Sequence, residues 1–208
     1  MILSKRLGLL AQQYHHEKHI WDIGCDHGLL GLSFESKTSV DEIHLVDPSG
    51  PVINILKKQL DAYITKSKIF IHHQSGQEIQ LAPLSNLIFI AGMGGKEIHE
   101  ILLSLIPQMK PDTRLVISPH RNILEVRAFL HQSIYRLENE FLVMEGGRYY
   151  QVITLNLDMR SPRVSLYGDS LWRGPLGNGY LDQQLLHFKE HRDGLGRSYR
   201  LYLESLKV

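Results

Sequence analysis

Two short stretches hold residues whose types and spacing suit chemistry on a charged small molecule: Asp22-Ile23-Gly24-Cys25-Asp26-His27-Gly28, and Ala91-Gly92-Met93-Gly94-Gly95. Each ends an apolar run and precedes helical spacing. In the first, Gly24 and Gly28 bracket a turn, where small residues let a ligand approach the backbone. A strand–turn–helix of this kind is where a doubly wound α/β sheet holds a nucleotide. The spacing Gly24-x-x-x-Gly28 does not meet the Gly-x-Gly-x-x-Gly dinucleotide pattern. Charge points the same way. A pyrophosphate wants backbone N–H groups and positive potential, and this turn offers Asp22 and Asp26 instead. S-adenosylmethionine (SAM) carries an ammonium and a sulfonium and no phosphate, so carboxylates beside it are favourable. The pattern therefore suits SAM better than NAD or ATP, and a bare structural turn is the alternative.

A third acid supports the same reading. Ile43-His44-Leu45-Val46-Asp47 is strand-like and ends in Asp47, 25 residues after Asp22. An acid at the tip of the second strand can take hydrogen bonds from both ribose hydroxyls. Gly76 and Gln77 follow a third strand, over residues 68–72, where such folds place the adenine. Residues 86–91 are apolar without alternation, as a central parallel strand requires, and Gly92-Met93-Gly94-Gly95 lies at its tip. Residues 114–118 form a fifth strand, ending at Pro119-His120-Arg121-Asn122.

Helical spacing fills the gaps, over residues 3–14, 28–36, 52–63, from Lys96 onward, and 123–133. Residues 136–145 and 149–157 flank Gly146-Gly147, a hairpin signal. The expected fold is α/β: a Rossmann-like parallel sheet closed by an antiparallel hairpin, with right-handed crossovers. From Ser161 the texture changes. Glycine and proline make 161–179 linker-like, and 181–191 and 197–207 read as a short C-terminal helical hairpin interrupted at Gly194 and Gly196. The expected division is residues 1–160 and an appendage at 161–208.

Composition bounds the function. The 208 residues carry a net charge of +1, too small to signal a nucleic-acid partner by itself. Residues 160–208 hold eight basic and five acidic side chains, a local excess of three positive charges. A single cysteine, Cys25, excludes an intrachain disulfide framework and fits a cytoplasmic setting. No apolar run is long enough to cross a membrane, and residues 1–6 lack a signal-peptide layout. The run His15-His16-Glu17-Lys18-His19 is not a zincin motif, since Glu must directly follow the first histidine. His15 and His19 could share a metal only on a helix reaching that far. With no ligand spacing among twelve histidines, no metal is expected.

In order along residues 3–150, Leu3-Ser4-x-Arg6-Leu7, Asp22-Ile23-Gly24-x-Asp26-His27, Asp47-x-x-Gly50-Pro51, Ile90-Ala91-Gly92-Met93-Gly94-Gly95, Pro119 and Glu145-x-Gly147-x-Tyr149-Tyr150 together resemble the TrmK family of bacterial tRNA (adenine-22-N1)-methyltransferases. The resemblance implies a class I SAM-dependent methyltransferase that modifies N1 of an adenine in tRNA, and a helical C-terminal domain. Departures are Gly28 where the family commonly has Ala, Ser118-Pro119-His120 where it has Gln-Pro-Asn, a third-strand turn without Gly-x-Gly, and a short tail.

By resemblance and position, Asp22, Gly24 and Asp26 would line the methionine end of SAM, Asp47 the ribose, and Gly76 and Gln77 the adenine, with His27, Ala91 and Gly92 as further cofactor-binding residues. Met93 and Gly94 would meet the target base, the thioether packing on its face. Asp22 would act electrostatically, and Asn122 and Tyr149 by hydrogen bonds to the base edge. The lone pair of N1 attacks the methyl directly, so no general base is required. N1 lies on the Watson–Crick edge, so the adenine must be flipped out. Lys5, Arg6, Arg121 and Arg148 are candidates for phosphate contacts. The protein is expected to be a monomer. Two alternatives remain: a SAM enzyme acting on another RNA or a small molecule, and a non-catalytic RNA-binding protein of the same fold.

Overall fold

The computed structural model describes residues 2–61, 66–81, 86–189 and 194–206. Its strands are β1 (His19–Ile23), β2 (Glu42–Asp47), β3 (Lys68–His73), β4 (Asn86–Ala91), β5 (Arg114–Ser118), β6 (Arg136–Glu145) and β7 (Arg148–Asn156). They form one open sheet in the order β3-β2-β1-β4-β5-β7-β6. The first five strands are parallel, and β7 runs antiparallel between β5 and β6. The chain reverses direction across the sheet between β1 and β4, which is where such sheets open a crevice for ligands.

Both faces of the sheet are covered, which is why β1 and β4 lack alternation. One face packs Trp21, Ile23, Ile88, Ile90 and Ile117 against α4 (Gly95–Leu105) and α5 (Ile123–Gln132). The other packs Ile20, Ile43, Leu45, Phe89 and Val116 against α1 (Lys5–Ala11), α2 (Leu29–Leu32) and α3 (Gly50–Leu60). Helix α1 starts where Ser4 accepts a hydrogen bond from the Leu7 N–H at 3.3 Å, a standard N-cap. It ends at Ala11, so His15 and His19 never share a helix face. His19 is instead the buried first residue of β1. The helix expected over 28–36 is one short turn, α2. The expected end of the helix over 52–63 lies outside the described residues.

The C-terminal segment is not a free appendage. Val164 is fully buried in the first core, and Leu171 is buried in a single helical turn, Leu171–Arg173. Helix α6 runs Gly177–His187, four residues earlier than the spacing suggests, and α7 runs Gly194–Ser205, with Gly194 and Gly196 inside it. The interruption expected at Gly194 and Gly196 is therefore not there, since α7 begins at Gly194; residues 190–193 lie outside the described residues. Two of the glycines that suggested a linker are demanded by packing. A Cβ on Gly177 would lie 2.1 Å from the Trp172 carbonyl oxygen, and one on Gly179 would lie 2.2 Å from Tyr149 Oη. Leu181, Phe188, Tyr199 and Leu203 close a third cluster around Leu124 of α5. Among the described residues no helix is long and apolar enough to cross a membrane.

Candidate active site

The chemistry-bearing residues converge at the C-terminal tips of β1, β2, β4 and β5. After β1 the chain enters a tight turn with Gly24, Asp26 and Gly28 all at positive φ (71°, 49° and 68°). The turn is latched to β2 by the Gly24 and Cys25 N–H groups, which donate to the Val46 carbonyl at 2.8 and 3.1 Å. Asp47 completes the latch. Its Oδ2 accepts from the Asp26 N–H at 3.2 Å and its Oδ1 from the Ser49 N–H at 2.8 Å. A carboxylate has about four acceptor positions, so Asp47 retains capacity for a ligand's hydroxyls.

Asp22 is buried, and its Oδ2 accepts from the Gly31 N–H at 2.8 Å, anchoring α2. Burial pushes its carboxyl up to about 6, the Gly31 bond opposes this, and the charges of Asp47 and Asp26 add to it. Asp26 is exposed, with His27 Nε2 3.8 Å from its Oδ1. Among the described residues no lysine or arginine pairs with any of these three carboxylates. A buried carboxyl whose proton affinity is raised by two neighbouring carboxylates, with no lysine or arginine to relieve it, makes a site complementary to a cation. Cys25 adds nothing reactive, since burial and the neighbouring acids push its thiol up and keep it protonated.

At the tip of β4, the loop from Ala91 is zipped to the end of β5. The Gly92 N–H donates to the Ser118 carbonyl at 3.1 Å, His120 N–H to the Met93 carbonyl at 2.9 Å, and Gly95 N–H to the Arg121 carbonyl at 3.1 Å. The Met93 side chain crosses to the first turn, where a Cβ on Gly24 would lie 2.1 Å from its Cε. Met93 and Gly24, from motifs about 70 residues apart, therefore share one floor. Gly95 is required sterically. A Cβ there would stand 2.7 Å from the Asn122 carbonyl oxygen and 2.8 Å from Asn122 Cβ. Gly95→Ala is expected to cost about 1–3 kcal/mol of stability by displacing Asn122, measured by urea denaturation.

Other expected site residues separate. Asn122 sits in the left-handed region at φ 57°, exposed at the start of α5. Gly76 is buried after β3, against Ile23 and Ile101. The Gln77 side chain turns to Glu100 of α4, with Nε2 3.3 Å from Oε2. Tyr149 faces α6, with its ring 5.7 Å from Tyr180. The next residue, Tyr150, lies on the other face of β7, 5.1 Å from the His120 ring and under the Arg6 guanidinium at 5.2 Å. The structure thus brings Tyr150, not Tyr149, to the β5 tip. Glu145 holds Arg6 there by accepting from the Arg6 N–H at 3.2 Å. Burial lowers the proton affinity of His120, and Arg6, Arg148 and Arg121 lower it further. Three of the four expected phosphate contacts therefore surround one exposed ring, while Lys5 is exposed on α1. Tyr150 and His120 are residues beside the candidate site that spacing did not single out. Only the departure at His120 marked the position.

A family model described as a methyltransferase domain matches residues 3–153. The chain is 28% identical over 187 residues to the tRNA (adenine(22)-N(1))-methyltransferase of Bacillus subtilis, covering 88% of this chain and 76% of the relative. Among solved structures, B. subtilis m1A22 tRNA methyltransferase TrmK superposes with a TM-score of 0.79 at 22% identity, over 99% of this chain and 95% of that one. M. capricolum TrmK in complex with the cofactor product S-adenosylhomocysteine superposes with a TM-score of 0.76 at 18% identity, again over 99% and 95%.

Proposed function

The chain belongs to the methyltransferase-domain family, and from that membership we propose that it transfers a methyl group from SAM to N1 of an adenine in tRNA, at position 22 as in the B. subtilis relative. The observation that carries this reading is the shared floor. Asp22, Asp26 and Asp47 gather at the tips of β1 and β2 with no lysine or arginine partner among the described residues, and Met93 lies over Gly24 beside them. The residues fit a cationic donor with a ribose: carboxylates for the ammonium end, and Asp47 for the ribose hydroxyls. Bound there, SAM supplies an electrophilic methyl on a sulfonium.

The chain's own residues do the rest. Asp47 fixes the Asp26 turn. Met93 and the Gly92–Gly94 backbone offer a flat, thin surface for a base to lie on. N1 attacks through its own lone pair, so placement in line with the methyl is the main demand. The product is cationic, and the nearby carboxylates stabilise that charge as it develops. The exposed His120 ring, beside the half-buried Tyr150, offers a face for stacking a flipped base, and Arg6, Arg121 and Arg148 bear positive charge for the flanking phosphates. We place catalysis in residues 1–160. The segment 161–208 braces α5 and the hairpin and adds its basic excess to the RNA surface. A soluble cytoplasmic monomer fits this role, with no membrane partner.

The test is methyl transfer from SAM to an unmodified tRNA transcript, with digested nucleosides read by mass spectrometry. N1-methyladenosine is the expected product. Arg121→Ala with Arg148→Ala should weaken tRNA binding and flatten the salt dependence by about two phosphate contacts, leaving SAM affinity unchanged. His120, in place of the family's asparagine, favours a second reading, a different RNA or a small-molecule acceptor. SAM binding without any methylated tRNA would move the assignment there. Loss of SAM binding as well would leave an RNA-binding protein of this fold.

A further inference from the structure

We infer that His19, Glu42 and His44 bind one divalent transition-metal ion of the zinc type, at the end of the sheet opposite the methyl-transfer site. The topology builds the site. His19 opens β1, Glu42 opens β2 directly beside it in register, and His44 follows two residues on, so all three project from one face. One carboxylate oxygen collects both rings. Glu42 Oε2 lies 3.2 Å from His19 Nδ1 and 3.4 Å from His44 Nε2. One ligand atom from each residue falls within 4.8 Å of the others. A tetrahedral ion with bonds of about 2.0–2.1 Å spaces its ligand atoms about 3.3 Å apart.

Hydrogen bonding does not account for these groups. The His19 and His44 side chains are only 7% and 8% exposed. Neither His19 nitrogen nor His44 Nε2 reaches hydrogen-bond geometry with any partner among the described residues. Buried ring nitrogens left so are rare unless something else satisfies them. The His44 ring is also held as a ligand's ring is held. Its Nδ1 lies 3.0 Å from His72 Nε2, which leaves Nε2 for a metal and fixes its direction, as outer partners of metal-bound histidines do. Trp21 stacks on it at 3.8 Å and 6°, and Phe70 lies 5.0 Å away, 11° from parallel. Glu42 is 24% exposed, giving an entry path and room for a water as fourth ligand. Two imidazoles and one carboxylate suit zinc, cobalt or nickel, whereas calcium and magnesium want oxygen ligands throughout. The ion would tie β1 to β2 beneath the carboxylate turn. Three residues 2 to 25 positions apart, on two strands, show no local ligand spacing, so the pattern is invisible along the chain.

The full chain, treated with chelator and then titrated with Co²⁺, tests this. One equivalent should bind with the visible d–d absorption of a tetrahedral ion, and Zn²⁺ should displace it. Zn²⁺ at a hundredfold excess over its Kd should raise Tm by about 5 °C, reversibly with chelator. Glu42→Gln, a near-isosteric change at a part-exposed position, should weaken Co²⁺ at least tenfold. His72→Gln should weaken it about 10- to 100-fold while keeping the stoichiometry. Absence of saturable one-to-one binding by the unaltered chain would overturn the site. Equal Co²⁺ affinity in Glu42→Gln would do so too, by placing the ion on other histidines.

Discussion

Glu140→Ala is expected to lower Tm by about 10 °C, the largest stability effect of any single change considered. Glu140 Oε2 lies 2.8 Å from Arg127 Nη2, and the two side chains are 2% and 0% exposed. Arg127 is also held elsewhere: Nε donates to the Ser165 carbonyl at 2.7 Å and Nη1 to Gln151 Oε1 at 2.8 Å. Removing the carboxylate strands a guanidinium that cannot deprotonate. Breaking one half of a buried pair costs about 3–5 kcal/mol, and 1 kcal/mol corresponds to about 2–4 °C in a chain of this size. The loss should fall on the C-terminal segment as well, because Ser165 and Ser170, which donates to Glu140 Oε1 at 2.5 Å, join it to α5 and β6. Replacing both partners together, Arg127→Met with Glu140→Leu, should recover much of the loss, since a packed apolar pair of similar volume is often neutral or better. Calorimetric melts of the three proteins decide it. A Glu140→Ala melt within a degree of the parent would mean that the pair contributes nothing.

That ion pair marks where sequence reasoning runs out. Strand tips are legible because two local signals coincide there, an apolar run and the glycine or acid that stops it. Asp22, Asp47 and Gly92 were placed in this way, and β1 to β7 stand close to where spacing put them. Arg127 has no such signal. Ile123, Val126 and Leu130 mark an amphipathic α5, and an arginine among them reads as a solvated position. Only the fold shows that residues 164–171 cover it. Those residues lie within the glycine- and proline-bearing stretch 161–179, with isolated anchors such as Val164, so composition suggests a linker where the structure has a packed strap. The exchange of Tyr149 for Tyr150 has a similar cause. Both tyrosines are half-buried, so hydrophobicity does not reveal which of the two faces α6 and which faces His120. The register between β6 and β7 shifts at Leu137/Asn139, which further weakens any parity argument.

Asp47→Asn is expected to weaken SAM binding by roughly 30- to 100-fold, with Tm changed by only a few degrees. The carboxylate has two duties. It accepts the Asp26 and Ser49 N–H groups that shape the first turn, and its remaining lone pairs face the place assigned to the ribose. Asparagine keeps an oxygen for Ser49 and sets an NH₂ against the Asp26 N–H, so one turn contact is lost along with the charge. Hydrogen bonds to a charged acceptor contribute about 1.5–3 kcal/mol each, and a net loss of about 2–3 kcal/mol gives the stated range. Titration calorimetry at two pH values separates this from a general disturbance of the fold. Asp22 has its carboxyl raised to about 6, so its ionised form is disfavoured in the free protein. The stability it confers in its protonated form is therefore lost as pH rises from the unfolded value near 3.8 toward 6. A bound cation reverses that preference. SAM should bind more tightly at pH 7 than at pH 5 with release of a proton at the lower pH, and Asp47→Asn should retain that trend because Asp22 and Asp26 remain. Unchanged SAM affinity in Asp47→Asn would remove Asp47 from the donor site. A pH-independent affinity in the unaltered protein would remove Asp22.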